Sequence, residues 1–327
     1  MINRRHLTAG LAASLLATGA RAQAPTVLRV STAAPPGDFL SKSLEGFKAT
    51  VDGAGAGVKV EVYPASTLFR QGAEVQALQR GNLEMSTMTT FEVAQQLPEH
   101  GYFNRAYLFR DHTHMRHVFD GPIGAEYRAI VAAKMGIEIL ATAYLGTRHV
   151  ALAKRRAVKA PADLAGLKLR MPAGPEWLLL GKTLGVSPVP MGMPDVYLGL
   201  KTGTIDGQEN PLSIFNFAKL YEVSEQVILT THMLQPVFTS VAKPAWDKLT
   251  SSQQKIVRDA AVTAAKMNDD ARLADEATVA EAIKTKGVTV DKIDLAPFRA
   301  AADAAYGPGE VTAAWDKAWL KRVLETA

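Results

Sequence analysis

The stretch from Val27 to Thr89 opens with Val27-Leu-Arg-Val-Ser-Thr32 and runs through Phe39 to Val51, Val58-Lys-Val-Glu-Val-Tyr63 and Gly72 to Gln79. It closes with Leu83-Glu-Met-Ser-Thr-Met-Thr89. Val27–Thr32 is β-rich, Phe39–Val51 carries apolar residues at helical spacing, and Val58–Tyr63 alternates with the period of two of a strand. Gly72–Gln79 reads as a helix ended by Gly81 just beyond its last turn, and Leu83–Thr89 is again extended. A β-α-β-α-β order predicts a mostly parallel sheet with helices on both faces.

Further on, a helical stretch from His112 to Lys134 precedes more alternation. Strands are expected at Ile137–Ala141, His149–Lys154, Leu167–Met171, Val186–Met191, Val227–Thr231 and Phe238–Ala242, with helices at Glu176–Leu184 and Asp195–Lys201. From Ser251 to Lys286 there is no Gly or Pro, and a Ser/Thr cluster opens the run while Gly287 closes it. An unbroken helix of that length would reach about 54 Å, more than one domain needs, and would brace two. Two ordinary helices bent near Asn268-Asp-Asp270 fit the propensities as well.

The chain has 327 residues, 47% hydrophobic and 21% charged, which suits two domains with cores and excludes a disordered or fibrous chain. Three of its 37 basic residues (Arg4, Arg5, Arg21) lie in the first 22 positions; the remaining 34 face 32 acidic ones, so no field for nucleic acid is left. That first segment reads as a signal peptide: a charged start, an uncharged stretch from Leu7 to Ala20, and a small-x-small site ending at Ala22. The Arg4-Arg5 pair fits the twin-arginine route and an ordinary Sec signal alike. There is no cysteine, which removes thiol chemistry and a lipid anchor and leaves a protein free in the periplasm.

Most catalytic motifs are missing: no G-x-S-x-G, no H-E-x-x-H and no P-loop. Gly53-Ala-Gly-Ala-Gly57 precedes a strand, so it connects a helix to a strand and lacks the helix N-terminus that a phosphate needs. His112, His114 and His117 cluster without an acidic or thiol partner at ligand spacing, and Asp111 reads as a helix cap. The reading is a solvated helix start, with no metal and no cofactor.

The chemistry concentrates between Gly146 and Pro211. Arg170 stands at the carboxyl end of a strand, where open parallel sheets hold ligands, and its planar fork matches a carboxylate. Asn210 follows a second strand and offers a donor and an acceptor. At a crevice between lobes the two describe a carboxylate receptor; a surface strand-end arginine is the plain alternative.

Two blocks carry a specific likeness: Ala160-Pro-Ala-Asp-Leu-Ala-Gly-Leu-Lys-Leu-Arg-Met-Pro172 and Asp195-Val-Tyr-Leu-Gly-Leu-Lys-Thr-Gly-Thr-Ile-Asp-Gly-Gln-Glu-Asn-Pro211. With Tyr63-Pro-Ala-Ser-Thr-Leu68, Gly81-Asn-Leu-Glu-Met85, Phe119-Asp-Gly-Pro-Ile-Gly124, Tyr221-Glu-Val223 and Leu229-Thr-Thr-His232, they resemble the solute-binding proteins of tripartite ATP-independent periplasmic (TRAP) transporters of the DctP type. The resemblance implies a two-lobed α/β fold, each lobe a mixed, mostly parallel sheet flanked by helices, with a long hinge-spanning helix. It implies that Arg170 pairs with a ligand carboxylate, that Asn210 hydrogen-bonds the ligand and that Arg148 assists.

In place of the family's glycine after Leu68 the chain has Phe69-Arg-Gln71, and Gln71 stands near a ligand-contacting polar position. Trp177 either floors the pocket or packs its helix. Phe39, Phe91 and Phe215 are candidates for the pocket or for the core, and several of them in the pocket would favour an apolar or aromatic ligand body over a sugar acid. The expected division is residues 23–147 with about 236–268 in lobe I, and 148–235 with about 269–327 in lobe II. The expected partners are a mono- or dicarboxylate and the small and large membrane subunits of a permease, with the chain itself a monomer. An exported carboxylate-processing enzyme and the receptor of an ABC importer are the alternatives.

Overall fold

In the computed structural model, which describes residues 24–327, the run that alternates in sequence alternates in burial. The signal segment lies outside the described residues. Strand β1 (Thr26–Ser31) leads through Asp38, whose carboxylate accepts from the Leu40 amide, into α1 (Phe39–Gly53). Leu40, Leu44, Phe47 and Val51 form the buried stripe of α1, and the glycine loop delivers the chain to β2 (Val58–Tyr63). Then come α2 (Glu74–Gln79), β3 (Met85–Met88), α3 (Thr90–Ala94), α4 (His112–Asp120) and α5 (Pro122–Met135). β1 pairs in parallel with both β2 and β3, as the β-α-β-α-β order predicts.

Four expected strands turn out to be the ends of two. Ile137–Ala141 and His149–Lys154 belong to β4 (Ile137–Leu152), and Val227–Thr231 and Phe238–Ala242 belong to β8 (Gln226–Ala242). At about 3.4 Å per residue each is over 50 Å long, enough to run through both lobes. The two pair antiparallel, with register shifts between Ile139 and Ala141, Tyr144 and Gly146, and Arg148 and Val150. These bulges hide the continuity, because each breaks the period of two. Gly146 is required at one of them: its φ is +125°, and a Cβ there would sit 2.6 Å from Cβ of Pro211.

Between the long strands lie β5 (Lys168–Met171), α6 (Pro175–Thr183), β6 (Ser187–Pro190), α7 (Val196–Thr202), β7 (Gly207–Pro211) and α8 (Leu212–Phe217). After them follow α9 (Lys243–Trp246), α10 (Ser251–Glu276), α11 (Val279–Lys284), β9 (Thr289–Asp291), α12 (Ala296–Ala305) and α13 (Lys317–Glu325). The sheet order is β2-β1-β3-β8-β4-β7-β5-β6, with β9 on β8. The result is a two-lobed α/β fold whose flanks are parallel and whose shared centre is antiparallel. Each half buries a core on each face of the sheet: Ile139 and Phe238 face one way while Leu140 and Val237 face the other, and Val150 and Ala151 divide likewise.

The long helix is shorter than its sequence run. α10 ends at Glu276, and the Asp275 carbonyl accepts from the amides of Ala277 and Thr278 and from the Thr278 hydroxyl, which closes the turn. Asn268 and Asp269 make no bend. Instead they reach across to the bulge in β4: Asp269 accepts from the Tyr144 amide at 2.7 Å, and Asn268 donates to the Tyr144 carbonyl at 2.7 Å. One turn further on, the buried Arg272 donates to Asp38 at 2.8 Å and to the Ser213 hydroxyl on α8, so α10 ties both halves at the hinge. At the C-terminus, Trp315 and Val323 pack in one core with Tyr102, Phe103 and Phe119.

Candidate functional site

Adjacent strands β5, β7 and β4 bring Arg170, Asn210 and Arg148 to one crevice, because Arg170 stands opposite Gln208, Asn210 opposite His149, and Arg148 opposite Pro211. The crevice encloses about 770 Å³ of empty space, part of it open to solvent. Its far wall comes from the β1, β3, α2 and α3 segments: Thr32, Ser86, Thr87, Thr89, Glu74 and Glu92.

Arg170 is 1% exposed. Its Nε donates to the Met191 carbonyl at 2.7 Å and its Nη2 to Oε1 of Gln71 at 2.9 Å. No acidic side chain pairs with it among the described residues. Burial pulls its guanidinium down to about 9, partly offset by the field of Glu209. A buried cation held only by neutral oxygens calls for an anion.

Arg148 is different, because its charge is already matched. It grips Glu209 with Nε at 2.5 Å and Nη2 at 2.6 Å, donates to Gln235 at 2.6 Å, and reaches Oδ1 of Asn210 at 3.2 Å. His232 adds Nε2 at 3.1 Å to the same Glu209. Burial pushes the Glu209 carboxyl up, and Arg148 and His232 more than reverse this, so it lies below the usual carboxylate range. His149 behind it is driven down to about 3 by burial and stays neutral.

Trp177 lines the crevice, with the Arg148 guanidinium 4.9 Å from its ring centroid, so it does more than pack α6. Gln71 also lines it. The three phenylalanines do not. Phe91 is stacked behind Trp177 at 3.5 Å, Phe39 packs edge-on against Phe217 beside the hinge, and Phe215 is buried in the core with Val196, Leu200 and Ile205. An aromatic side chain is worth most where its whole ring leaves water, and cores were available for two of them.

Sequence reasoning assigned no role to Glu209, His232, Gln235, Glu74 and Glu92. Glu209 had a signal: a carboxylate in a wholly buried strand must have a cationic partner. The two other glutamates had none, since α2 and α3 are short. The histidine cluster disperses: His112 meets Asp269, His114 the Val323 carbonyl, and His117 the Ala327 carbonyl.

A family model described as bacterial extracellular solute-binding protein, family 7 (DctP), matches residues 30–309. The chain belongs to that family. It is 34% identical over 308 residues to a solute-binding protein of Verminephrobacter eiseniae, covering 94% of this chain and 90% of the relative. A TRAP periplasmic solute-binding protein of Roseobacter denitrificans, solved with bound 3-deoxy-D-manno-oct-2-ulosonic acid, superposes with a TM-score of 0.88 at 35% identity, covering 93% of this chain and all of that one. Another from the same species, with bound L-galactonate, gives 0.81 at 28% identity over 86% and 93% of the two chains. This DctP-family chain is thus a solute receptor of the TRAP type, and its family is one of periplasmic transport proteins.

Proposed function

We propose that the receptor binds a small hydroxylated carboxylate in the crevice, with Arg170 forking the carboxylate, Asn210 hydrogen-bonding beside it, Arg148 orienting Asn210, and Trp177 and Gln71 lining the pocket. The observation that carries this is the buried, unpaired Arg170 facing a wall of hydroxyl and carboxyl groups. The absence of the phenylalanines from the crevice turns the ligand body from apolar to polyhydroxy, in keeping with the sugar acids bound by the two Roseobacter relatives.

The ligand is held as the lobes close and passes to a permease of small and large membrane subunits, with no turnover by this chain, which works as a monomer. Residues 1–22 direct its export. We divide the lobes as 23–147 with about 236–268, and 148–235 with about 269–305; the packing of Trp315 and Val323 supports moving the C-terminal segment to the first lobe. Thermal-shift screening of the mature chain tests the reading. Aldonates and related sugar acids should raise the melting temperature and neutral sugars should not, since ligand at a hundred times its dissociation constant adds about 2.7 kcal/mol. Tight binding of a neutral sugar would overturn it.

A further inference from the structure

The crevice holds one unmatched cation and, across from it, two carboxyls. Glu74 on α2 is 7% exposed, and Glu92 on α3 is half-buried; both line the crevice. Each is anchored through one oxygen to the backbone: Oε2 of Glu74 accepts from the Gly72 amide at 2.7 Å, and Oε2 of Glu92 from the Thr89 amide at 2.8 Å, with the Thr89 hydroxyl beside it. Neither has a cationic partner among the described residues. Among the described residues the only other cation lining the crevice is Arg148, and Glu209 neutralises it.

Resting on the receptor reading above, we propose that Glu74 and Glu92 form a distal subsite that accepts hydrogen bonds from ligand hydroxyls and excludes a second carboxylate, so that the receptor takes monocarboxylate polyols and rejects dicarboxylates. The charge balance dictates this. A first carboxylate is matched by Arg170, whereas a second at the far end finds no free cation and faces two acidic groups in a site shielded from water. Hydroxyl donors, by contrast, supply the hydrogen bonds that the two anchored carboxyls lack on their other oxygens. Burial raises both carboxyls, Glu74 to about 7.

The test uses acid pairs that differ only at the far end: D-galactonate against galactarate, D-gluconate against glucarate, and D-erythronate against meso-tartrate. Each is titrated calorimetrically at about pH 8, where Glu74 is mostly ionised. The tightest-binding aldonate should exceed its dicarboxylate partner by at least tenfold, about 1.4 kcal/mol. Glu74→Gln should narrow that gap several-fold, chiefly by admitting the dicarboxylate, because the carboxamide still accepts a hydrogen bond and carries no charge; Glu92→Gln should narrow it less, since burial already holds the Glu92 carboxyl toward its neutral form. Gln also serves in the capping box of α3, and melting curves of both variants control for folding. A dicarboxylate that binds wild type as well as its aldonate, or a gap unchanged in both variants, overturns the subsite while the receptor reading stands. If no acid binds the folded protein, or Arg170→Met leaves affinity intact, the placing of the ligand's carboxylate on Arg170 falls, and the subsite opposite it falls too.

Discussion

Oε1 of Gln71 accepts two hydrogen bonds at once, from Nη2 of Arg170 at 2.9 Å and from the Met193 amide at 2.8 Å. One carboxamide oxygen from the first lobe thereby holds both the charged side chain and the backbone of the second. Next to it, Arg70 pairs with Asp195 across the mouth at 2.7 Å. The Phe69-Arg-Gln71 segment is therefore where the lobes touch, and Gln71 occupies a donor that a ligand carboxylate would otherwise take.

Replacing that oxygen with a charged one should turn the contact into a competitor. Gln71→Glu puts a carboxylate against the unpaired Arg170, so the ligand-free protein should melt higher while affinity for the acid falls ten- to a hundredfold, roughly 1.4 to 2.8 kcal/mol. Calorimetric titration with parallel melting curves reads both. Unchanged affinity would mean that ligand and Gln71 use different sides of the guanidinium. Arg70→Ala, removing only an exposed pair, should cost about 1 kcal/mol or less.

Arg170→Met should weaken binding by about 2 to 5 kcal/mol, or roughly 30- to 4,000-fold, because it strands the ligand's carboxylate in a closed site. The same change should leave the ligand-free melting temperature level or raised, since it removes a buried cation that has no acidic partner. Arg170→Lys keeps the charge and loses the fork, so it should recover only part of the affinity. Wild-type affinity in Arg170→Met, measured by the same titration, would place the carboxylate elsewhere.

Arg148 should show the opposite balance. Glu209→Gln leaves its guanidinium buried and unmatched, and should cost about 3 to 5 kcal/mol in denaturant unfolding before any ligand is added. Because the Glu209 carboxyl lies below its ordinary value in the folded state, its contribution is present above that ordinary value and is lost as pH falls through the folded one. Unfolding at pH 7 with wild-type stability would show that the pair is replaceable by neutral hydrogen bonds.

Much of this was legible in the chain. Val58–Tyr63 alternates cleanly because one face of β2 is buried and the other is wet, and Arg170 and Asn210 could be placed from strand ends alone. The hinge was not legible. β4 and β8 read as four strands because bulges at Tyr144 and Arg148 break the alternation, and a bend near Asn268-Asp-Asp270 fits the propensities as well as an unbroken helix because nothing local reveals that these side chains satisfy the Tyr144 backbone. Residues that meet only through tertiary closure, such as Gln71 and Arg170, 99 positions apart, carry no local signature, and neither do buried carboxyls on short helices such as Glu74.

Glu74 gives that last group a measurable handle. Burial, with Glu92 adding its repulsion, moves its carboxyl from an ordinary 4.5 to about 7, so the folded protein binds this proton more tightly than the unfolded chain. The stability it confers is full below about pH 4.5 and is lost as pH rises to about 7, a fall of roughly 3 kcal/mol at most. Glu209 titrates with the opposite sign and at lower pH, so wild type alone would show a mixture, and the difference between wild type and Glu74→Gln isolates the one group. Unfolding in denaturant at several pH values from 5 to 8 should show Glu74→Gln gaining on wild type as pH rises, by amounts that level off above about pH 7. A saturating aldonate whose hydroxyls donate to Glu74 stabilises the ionised form, so it should flatten the slope in wild type and leave the variant's slope alone. Superimposable curves for the two proteins without ligand would show that Glu74 ionises as freely folded as unfolded, and that the wall opposite Arg170 is wetter than its burial implies.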